Sequence, residues 1–545
     1  MILEIVYRQW KKIISAAISL VCLILLLVFA CRTPPPVTQN TKVQKLNAAD
    51  EHESFHGVDV APNQILIKIS PVGGGLGVRC EGVDSKKLTE MVRKFALETT
   101  SDNRAAVNRV ANGCWFLIKS STLTVEELID LFKHVIDTKR PLKLDALSAV
   151  VAHAEPNFLL HVNLPADDQP FEAASVATPF KGIPNDPLFQ ENKLWGLRNQ
   201  DHQGIDIHAD DAWRRSTGSQ SIVVGVIDSG IYYDHPDLVN NVWCAPEDFD
   251  VTLGDEVIRC PKGSHGYNAV ASSPSEICDP LDVAVNFGHG THVSGIVGAV
   301  GNNAEGVVGV NWSTKLIGLK AFGIFNSARV SDVVNAIEFA IQLHERFGPE
   351  ANIRVLNASF GFLAAGADAS VDPTLLREEI ELAGNLAASN DMLFVASAGE
   401  DNGNDNDVVP HYPSGFYDLS NLLSVTAIDE TGAIAVIHGS AANHGANSVH
   451  LAAPGKGIYS TYPVNLGFVY YKKSGTSMST PFVSGAAALM LSVPACATKT
   501  AADLKQLIMQ GVDPMPSPSP SPSPTASGGR LNVARSIELC SAAGP

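Results

Sequence analysis

The stretch SIVVGVIDSG at residues 221–230 carries the pattern that defines the fold class. Its apolar run is short and unbroken, which is typical of a strand that is buried on both faces. Similar buried strands are predicted at residues 315–321, 353–357, 392–397 and 422–426. Helices are predicted over residues 289–300, 331–346, 375–389 and 477–491. This alternation predicts an α/β domain with a doubly wound, mostly parallel sheet that has helices on both faces.

A smaller unit is predicted ahead of this domain, over residues 60–163. Alternating isoleucines in residues 64–70 indicate a half-buried strand. Thr124 and Glu127 have the spacing of a capping box, which predicts that a helix begins there. A further helix is predicted at residues 88–97, and further strands at 114–119 and 149–153. The unit is therefore predicted to be an α+β domain of its own.

The remaining internal segments are predicted to be connections. Residues 32–59 are polar and proline-containing, which is typical of a tether. Residues 164–183 form a linker rich in Pro, Ala and Asp. Within the α/β domain, expected over residues 184–545, a Pro-Ser repeat marks a spacer at 514–527, because proline at every second position supports neither helix nor sheet.

The N-terminus has the features of an export signal. Basic residues precede an uncharged, apolar stretch at residues 13–30, and residues 1–31 are therefore predicted to direct the chain out of the cytoplasm. Ala30 followed by Cys31 resembles a bacterial lipoprotein cleavage site, so lipid attachment at Cys31 is one expectation. The alternative is a retained single-span membrane anchor.

Charge and cysteine content narrow the possible partners and the compartment. The formal net charge of -18 disfavours nucleic acid and anionic lipid as partners. Nine cysteines fit an oxidising compartment, where disulfides persist. Their grouping suggests the pairs Cys80–Cys114 and Cys496–Cys540, although sequence does not determine connectivity. The trio Cys244, Cys260 and Cys278 leaves one thiol over, and its wide spacing disfavours a zinc site.

Three short segments of the α/β domain combine residue types that carry chemistry. Asp228 ends the strand at residues 221–228, at the sheet edge where α/β proteins place their sites, although an Asp there also caps turns. The segment HGTHVSG at residues 289–295 opens a helix, with His289 as the functional candidate and His292 interpreted as a buried packing group. Ser477, in SGTSMSTP at residues 474–481, lies at a helix N-terminus, where a serine is usually a cap but can also be a nucleophile.

The order Asp, His, Ser is that of the subtilisin triad, one of the established triad orders. The three segments resemble the signatures of the subtilisin-like (subtilase) serine proteases, over about residues 185–540. The resemblance implies that Ser477 attacks the scissile carbonyl, His289 is the general base, and Asp228 orients the imidazole. Residues 60–163 resemble the family's inhibitory, ferredoxin-like pro-domain. The resemblance implies that self-cleavage removes it within the 164–183 linker.

The same resemblance predicts the substrate cleft. The segment VLNASFG at residues 355–361 resembles the strand that pairs with the substrate backbone, so Ser359, Phe360 and Gly361 are expected to line the cleft. Phe360 and residues 396–400 are expected to line the pocket for the residue before the cut bond. The expected preference of this pocket is broad and apolar-leaning.

One position departs from the family pattern. The family carries an oxyanion-binding Asn after Ala-Gly, whereas this chain has Glu400. An ionised carboxylate cannot donate a hydrogen bond, and losing this donor typically lowers kcat by roughly 10²–10³-fold. Asn402 could donate if the turn is longer, Glu400 could donate when protonated, or catalysis could depend on backbone amides near Ser477. The longer turn with Asn402 as the donor is the favoured interpretation.

A structural calcium site is also implied by the resemblance. Asp186, Asp237 and Asn303 match positions that hold Ca²⁺ in many subtilases, and loop carbonyls would complete the oxygen ligands that this cation prefers. The alternative is that these residues only form turns, which Asn and Asp favour anyway.

The sequence therefore predicts a secreted or membrane-anchored serine endopeptidase of class EC 3.4.21, made as a self-processing precursor. Its partners would be protein or peptide substrates and its own pro-domain. A catalytically inactive peptide-binding relative is the main alternative, and Glu400 is its one support. An anchoring surface protein is the second alternative, supported only by the N-terminal segment.

Overall fold

The computed structural model describes most of the chain beyond residue 52. The described residues are 53–71, 85–102, 104–111, 114–139, 141–144, 147–162, 169–171, 183–283, 288–323, 326–364, 373–386, 391–463, 469–516 and 523–542. The export signal, most of the tether and the Pro-Ser repeat at 517–522 lie outside these ranges.

The N-terminal unit is an antiparallel sheet with two helices packed on it. Its elements are β1 Glu53–Phe55, β2 Val58–Pro71, α1 Ser85–Thr100, β3 Ala106–Val110, β4 Trp115–Lys119, α2 Val125–Asp137, β5 Pro141–Leu144 and β6 Leu147–His161. The strands run in the order β6-β2-β4-β3, with β1 beside β2 and β5 beside β6. Thr124 caps α2, and a capping box with Glu127 is formed as predicted. The unit begins at β1 and β2, slightly ahead of the predicted boundary at residue 60.

The larger domain is built on a central sheet in the order β11-β12-β8-β14-β16-β18-β21-β25-β24. All neighbours are parallel except the last pair. These strands are β8 Gly218–Asp228, β11 Gly266–Asn268, β12 Ser313–Lys320, β14 Ile353–Ala358, β16 Leu393–Ser397, β18 Leu422–Ile428, β21 Leu451–Pro454, β24 Asp513–Pro514 and β25 Gly529–Arg530. The predicted parallel α/β sheet is confirmed.

The remaining strands form small sheets at the edges of the domain. They are β7 Gln169–Phe171, β9 Phe249–Leu253, β10 Glu256–Cys260, β13 Ser327–Arg329, β15 Phe362–Leu363, β17 His411–Tyr412, β19 Val436–Ile437, β20 Ser440–Ala441, β22 Ile458–Thr461 and β23 Tyr470–Lys473. Strand β7 pairs with β23. The predicted linker at 164–183 therefore contains a strand, because the exposed edge of β23 offers its backbone hydrogen-bonding groups.

Helices cover both faces of the central sheet. They are α3 Pro187–Gln190, α4 Ala209–Trp213, α5 His289–Gly298, α6 Val330–Phe347, α7 Thr374–Gly384, α8 Thr476–Leu491, α9 Ala501–Gln510 and α10 Val533–Ala542. Alternate residues of β8 face the two cores: Val223 packs with α6 and α7, whereas Val224 packs with α5 and α8. Helix α8 is buried along its whole length, which explains its apolar sequence.

The two units share one continuous hydrophobic core and one extended backbone pairing. Strand β6 runs on from the N-terminal unit, and its last residues, Leu159 to His161, pair antiparallel with β13 of the larger domain. The N-terminal sheet is thereby extended by a strand of the larger domain.

Two disulfides are formed between described cysteines. Cys496–Cys540 confirms the predicted C-terminal pair. Cys260–Cys278 forms within the predicted trio and joins the β9–β10 hairpin to the loop that follows β11. The predicted Cys80–Cys114 pairing lies outside the described residues, since Cys80 is not among them. Within the described ranges, no helix has both the length and the hydropathy needed to cross a bilayer.

Candidate active site

Asp228 and His289 form a buried pair at the carboxyl edge of the sheet. Asp228 is the last residue of β8 and His289 the first of α5, and both are fully buried. His289 Nδ1 lies 2.9 Å from each carboxylate oxygen of Asp228. Gly290 allows this approach, because a Cβ there would lie 2.1 Å from the Gly230 carbonyl oxygen. With Nδ1 donating to the carboxylate, His289 Nε2 is the atom left to accept a proton.

A second carboxylate, Asp282, supports this pair from behind. It accepts the backbone N–H and the hydroxyl of Thr291 at 3.1 and 2.6 Å. It also accepts the hydroxyl of Ser229, the residue after Asp228, at 3.2 Å. Burial raises the pKa of Asp282 to about 7, although Lys320 and the Thr291 bonds oppose this shift. The sequence prediction missed Asp282, because an Asp before a helix has no distinguishing spacing.

His292 has the structural role that the sequence predicted. Its ring is fully buried, and its Nε2 lies 3.1 Å from the Ile458 carbonyl and 3.0 Å from the Tyr471 carbonyl. Burial lowers its pKa well below the ordinary value, so the ring stays neutral. His292 therefore ties α5 to the β22–β23 hairpin.

Ser477 is held beside the end of β14 by two reciprocal hydrogen bonds. It is the second residue of α8 and is buried. Its Oγ donates to the Ser359 carbonyl at 3.1 Å, and Ser359 Oγ donates to the Ser477 carbonyl at 2.8 Å. Since β14 lies next to β8 in the sheet, Ser477 and Asp228 are brought to the same edge.

Ser477 and His289 share no hydrogen bond in the described part of the chain. The hydroxyl proton of Ser477 is directed to Ser359, and the buried Nε2 of His289 has no partner among the described residues. Catalytic hydrogen bonds are often long before substrate binds. The transfer of a proton from Ser477 to His289 would require a rotation about the Ser477 side chain.

Glu400 lies close to Ser477, and Asn402 points elsewhere. A Glu400 carboxylate oxygen accepts the backbone N–H of Thr476, the residue before Ser477. Asn402 is exposed, has a φ of 55°, and donates its backbone N–H to Ser440 at 2.9 Å. The acidic turn thus directs the Glu400 side chain to the N-terminus of α8 and leaves Asn402 exposed to solvent.

The predicted cleft segment contributes its backbone more than its side chains. The Phe360 ring is buried, with its centroid 5.0 Å from that of Phe322. Gly361 exchanges two backbone hydrogen bonds with His161, at 2.9 and 3.0 Å. The edge of the cleft is therefore occupied by the end of β6, and Phe360 packs into the core instead of lining a pocket.

Two further groups of the N-terminal unit cap helices of the larger domain. Glu155 is buried and accepts the backbone N–H groups of Thr374 and Leu375 at 3.0 and 3.2 Å, at the start of α7. Asn157 accepts the N–H of Ser331 at 3.2 Å, at the start of α6. Both residues lie in AEPNF at residues 154–158, a segment whose capping role its sequence alone does not reveal.

The predicted calcium residues lie together at the C-terminal end of α5. Asp237 accepts from Asn303 Nδ2 at 2.7 Å and from the Val307 N–H at 3.0 Å. Asp186 accepts the Asn302 N–H at 2.8 Å, and its second oxygen is buried with no partner among the described residues. Burial raises the pKa of both carboxyl groups to about 7, and for Asp237 the charge of Asp186 adds to this. In the described ranges, no group of three or more His, Cys, Asp or Glu side chains could hold a metal ion.

Comparisons with known proteins identify relatives of the larger domain. The model of the subtilase family matches residues 219–530, more than half of the chain. A thermophilic serine proteinase from Bacillus sp. strain AK1 is 28% identical over 378 residues, which cover 67% of this chain and 78% of that protein. Halolysin from Haloferax mediterranei is 31% identical over 288 residues, which cover 53% of this chain and 44% of halolysin.

A solved structure is similar in fold over most of the chain. The crystal structure of fervidolysin from Fervidobacterium pennivorans, a keratinolytic enzyme related to subtilisin, matches with a TM-score of 0.57. The match covers 89% of this chain and 62% of that chain, at 19% sequence identity. At this identity the match supports the shared fold alone.

Proposed function

We propose that this chain, which belongs to the subtilase family of serine proteases, is an extracytoplasmic endopeptidase made as a self-processing precursor. The observation that carries the proposal is the buried Asp228–His289 pair, at 2.9 Å, at the same sheet edge as a serine at the N-terminus of α8. Ser477 attacks the scissile carbonyl, His289 accepts its proton and passes it to the leaving amine, and Asp228 keeps the imidazole oriented.

The oxyanion donors in this proposal are backbone amides at the start of α8. The contact between Glu400 and Thr476 places Glu400 beside them, whereas Asn402 is exposed and its turn is directed towards Ser440. The side chain beside the oxyanion is therefore a carboxyl group in place of the amide donor that supports the oxyanion elsewhere. The expected consequence is an enzyme with a lower kcat than a relative with Asn at this position.

Residues 60–163 act as the inhibitory, ferredoxin-like pro-domain. Three contacts support this role: the pairing of β6 with β13, the His161–Gly361 backbone pair, and the caps that Glu155 and Asn157 supply. A peptide substrate would need the same backbone groups of β13 and Gly361, since strand addition is the common way to bind an extended chain. The pro-domain therefore competes with substrates for the cleft.

The register of β6 supports a proposal for the bond that is processed. His161 pairs with Gly361, and Ser477 Oγ bonds to the carbonyl of Ser359, two residues earlier. Asn163 follows His161 by two residues in the sequence. Asn163 lies outside the described residues, and the proposal is that the Asn163–Leu164 bond, at the start of the 164–183 linker, is cut.

Calcium is proposed as a structural ligand of Asp186 and Asp237. One Asp186 oxygen has no partner in the part of the chain that the structure describes, and the charges of Asp186 and Asp237 act on each other. Both features fit a hard cation, which would remove the repulsion between the two carboxylates. Asn303 would contribute its side-chain oxygen after an amide rotation, because its Nδ2 faces Asp237. The cation would stabilise the loop after α5, the helix that carries His289.

Secretion, or lipid attachment at Cys31, is proposed from the N-terminal sequence and from relatives that include a halolysin-like extracellular serine protease from Natrialba magadii. That relative is 27% identical over 378 residues, which cover 69% of this chain and 58% of that protein. Residues 1–31 lie outside the described residues, so a retained anchor remains an alternative within this proposal.

One observation favours a second function, that of an inactive peptide-binding protein. Glu400 places a carboxylate where negative charge would develop, and Ser477 is bonded to Ser359 instead of His289. Such a protein would bind peptides in the cleft without cutting them.

The experiment that separates the two functions is mass spectrometry of the secreted chain beside a Ser477→Ala variant. The protease proposal expects the wild type to lose its pro-domain, leaving a new N-terminus at Leu164, while Ser477→Ala stays intact. Thermal unfolding of both proteins controls for misfolding. If both stay intact and folded, and neither reacts with a serine-directed fluorophosphonate, the peptide-binding function is supported instead.

A further inference from the structure

The β9–β10 hairpin of the larger domain ends in a two-residue tip, Gly254 and Asp255, that contacts the N-terminal unit. Gly254 has a φ of 61°, a conformation that glycine adopts readily in such turns. A Cβ at Gly254 would lie 2.4 Å from the carbonyl oxygen of Arg109 in β3. The tip therefore approaches the backbone of the N-terminal unit so closely that only a glycine fits.

Side chains continue this contact on the acidic side of the tip. Thr89 Oγ1, on α1, donates to a carboxylate oxygen of Asp255. Burial lowers the pKa of the Arg109 guanidinium, and the charges of Asp255 and Glu338 oppose this shift. The hairpin tip thus offers one carboxylate to a hydroxyl group and to a positive charge of the N-terminal unit.

The hairpin is fixed to the larger domain by bonds of its own. Thr252 in β9 and Gln342 in α6 exchange two hydrogen bonds, at 3.0 and 2.7 Å. The Cys260–Cys278 disulfide joins the end of β10 to the loop that follows β11. Both connections lie within the larger domain, so they persist when the 164–183 linker is cut.

The hairpin lies at the edge of the N-terminal sheet that is farthest from the cleft. The strand order is β6-β2-β4-β3, so β3 lies about 14 Å from β6 at the usual strand spacing. At the cleft, His161 after the β6–β13 pairing bonds to Gly361. At the far edge, Asn335 of α6 accepts the N–H of Ala111, the residue after β3, at 3.0 Å. The N-terminal unit is therefore attached at two separate places.

We propose that the tip of the β9–β10 hairpin is a second docking site for the pro-domain, which binds Thr89 and Arg109 and retains the pro-domain after the linker is cut. This inference rests on the proposed function, because retention inhibits the chain only if it is a protease. When β6 leaves the cleft, the hairpin keeps it at a high effective concentration beside the cleft. The larger domain is then released only when both attachments are open together.

The expected effect follows from the bond between Thr89 and Asp255. A hydrogen bond to a charged group is stronger than a neutral one, and removing one partner leaves the other desolvated. Asp255→Ala should therefore raise the dissociation rate of the pro-domain about tenfold. Glu256→Ala is the matched control, because it removes the neighbouring carboxylate of the same hairpin, which is exposed to solvent. Its rate should stay within about twofold of the parent chain.

The test uses the full-length Ser477→Ala chain, with a recognition sequence for an added site-specific protease between β7 and residue 183. The chain is cut after purification and held on a sensor surface through a C-terminal tag, and loss of the pro-domain is followed in buffer. Every variant is cut at the same place, so the ratios of the dissociation rates report the hairpin alone. An Asp255→Ala rate equal to that of Glu256→Ala would overturn the inference.

A change on the pro-domain side covers the case in which Asp255→Ala does not fold. Thr89→Val removes the same hydrogen bond and leaves the larger domain unchanged, so the dissociation rate should rise about fivefold. Combined with Asp255→Ala, it should add less than about twofold, because both changes remove one contact. A Thr89→Val rate equal to that of the parent chain would contradict the inference.

Failure of this inference and failure of the proposed function give different results. Docking is measured without proteolysis, so a dissociation rate that does not depend on Asp255 refutes only the hairpin site. In the active enzyme, Asp255→Ala should shorten the lag between processing and activity, and Glu256→Ala should not. A wild type that neither processes itself nor reacts with a fluorophosphonate refutes the protease, and with it the inhibitory role of the hairpin, whatever the dissociation rates are.

Discussion

The two sides of the cleft differ in how far they are prepared for catalysis. The imidazole side consists of Asp228, His289 and Asp282, which are fully buried. His289 bonds directly to Asp228, and Asp282 bonds to Thr291, which lies on the same helix as His289. The hydroxyl side consists of Ser359, Glu400 and Ser477, where the serine proton is directed to a carbonyl and a carboxylate lies at the helix N-terminus. The first side can act in its present arrangement, whereas the second must change during the reaction.

The difference shows what limits the proposed enzyme. The proton-accepting machinery is fixed by the positions of β8 and α5, so substrate binding need not organise it. Ser477 must rotate away from Ser359, and the Glu400 side chain must move when the oxyanion forms. We therefore expect the hydroxyl side to determine kcat, and variants on the two sides to shift activity in opposite directions.

The largest expected effect comes from breaking the imidazole side. Asp228→Asn preserves the shape of the site but removes the charge that orients His289 and stabilises its protonated form. By analogy with other triads, kcat should fall about 10⁴-fold. The measurement is kcat of the mature enzyme on one peptide substrate, with thermal unfolding to confirm the fold.

Asp282→Asn provides the matched control for this change. It removes the neighbouring buried carboxylate, which bonds to Thr291 and Ser229, but leaves the contact between Asp228 and His289 intact. The loss of kcat should not exceed about 10²-fold, since only the positioning of the loop is affected. Equal losses in the two variants would show that the carboxylates act as one unit and would contradict a separate role for Asp228.

A gain of activity is expected from repairing the hydroxyl side. Glu400→Asn supplies a neutral N–H donor beside Ser477 and removes the carboxylate that accepts from Thr476. Since one oxyanion donor is typically worth 10²–10³-fold, kcat should rise by about 10²-fold. Glu400→Ala is the control, because it removes the carboxylate without adding a donor. A fall in kcat for Glu400→Asn would show that the Glu400 carboxyl is itself the better donor.

Calcium removal should affect stability more than the chemistry of either side. Asp186 and Asp237 lie at the far end of α5 from His289. Relative to the protein in calcium at about 100 times Kd, the protein in chelator should therefore have a Tm that is lower by about 5 °C. Differential scanning calorimetry with and without chelator measures this. Asp186→Asn should lower the Tm in calcium and abolish the chelator effect. A chelator-insensitive wild type would exclude the site.

Much of the architecture follows from sequence because it depends on local patterns. Short apolar runs predicted the central strands, and the predicted helix at 477–491 is α8, Thr476–Leu491. The three segments with Asp228, His289 and Ser477 were singled out because each ends a strand or begins a helix, and parallel topology brings such ends to one edge.

The features that sequence did not reveal depend on contacts between distant segments. His411 reaches Gly361 only because β17 pairs with β15, the strand that follows Gly361. The direction of the Phe360 side chain depends on which way the strand end turns, and the choice between Glu400 and Asn402 depends on the φ angle of a single turn residue. Periodicity carries no information about such turns, because a side chain can be redirected without any change in the pattern.

The smallest expected effect concerns the pro-domain, which covers the hydroxyl side through Gly361. His153 Nε2 lies 3.1 Å from Glu155, the residue that caps α7, and this hydrogen bond raises the pKa of His153. The charge of Glu378, on α7 of the larger domain, also raises the pKa of His153, so part of this rise is present only while the pro-domain is docked. The docking that His153 supports is therefore complete below the ordinary His pKa and is lost as the pH rises through the raised value.

Release of the processed pro-domain should accordingly be faster at pH 8 than at pH 6. The His153 side chain is 41% exposed, which weakens the pair through solvent screening, so we expect a difference of only about threefold. The lag before activity appears, normalised to the final rate at each pH, measures the release. His153→Gln should make the lag independent of pH over this range. A longer lag at pH 8 than at pH 6 in the wild type would contradict this prediction. It would mean that the titration of groups other than His153 controls release of the pro-domain from the hydroxyl side.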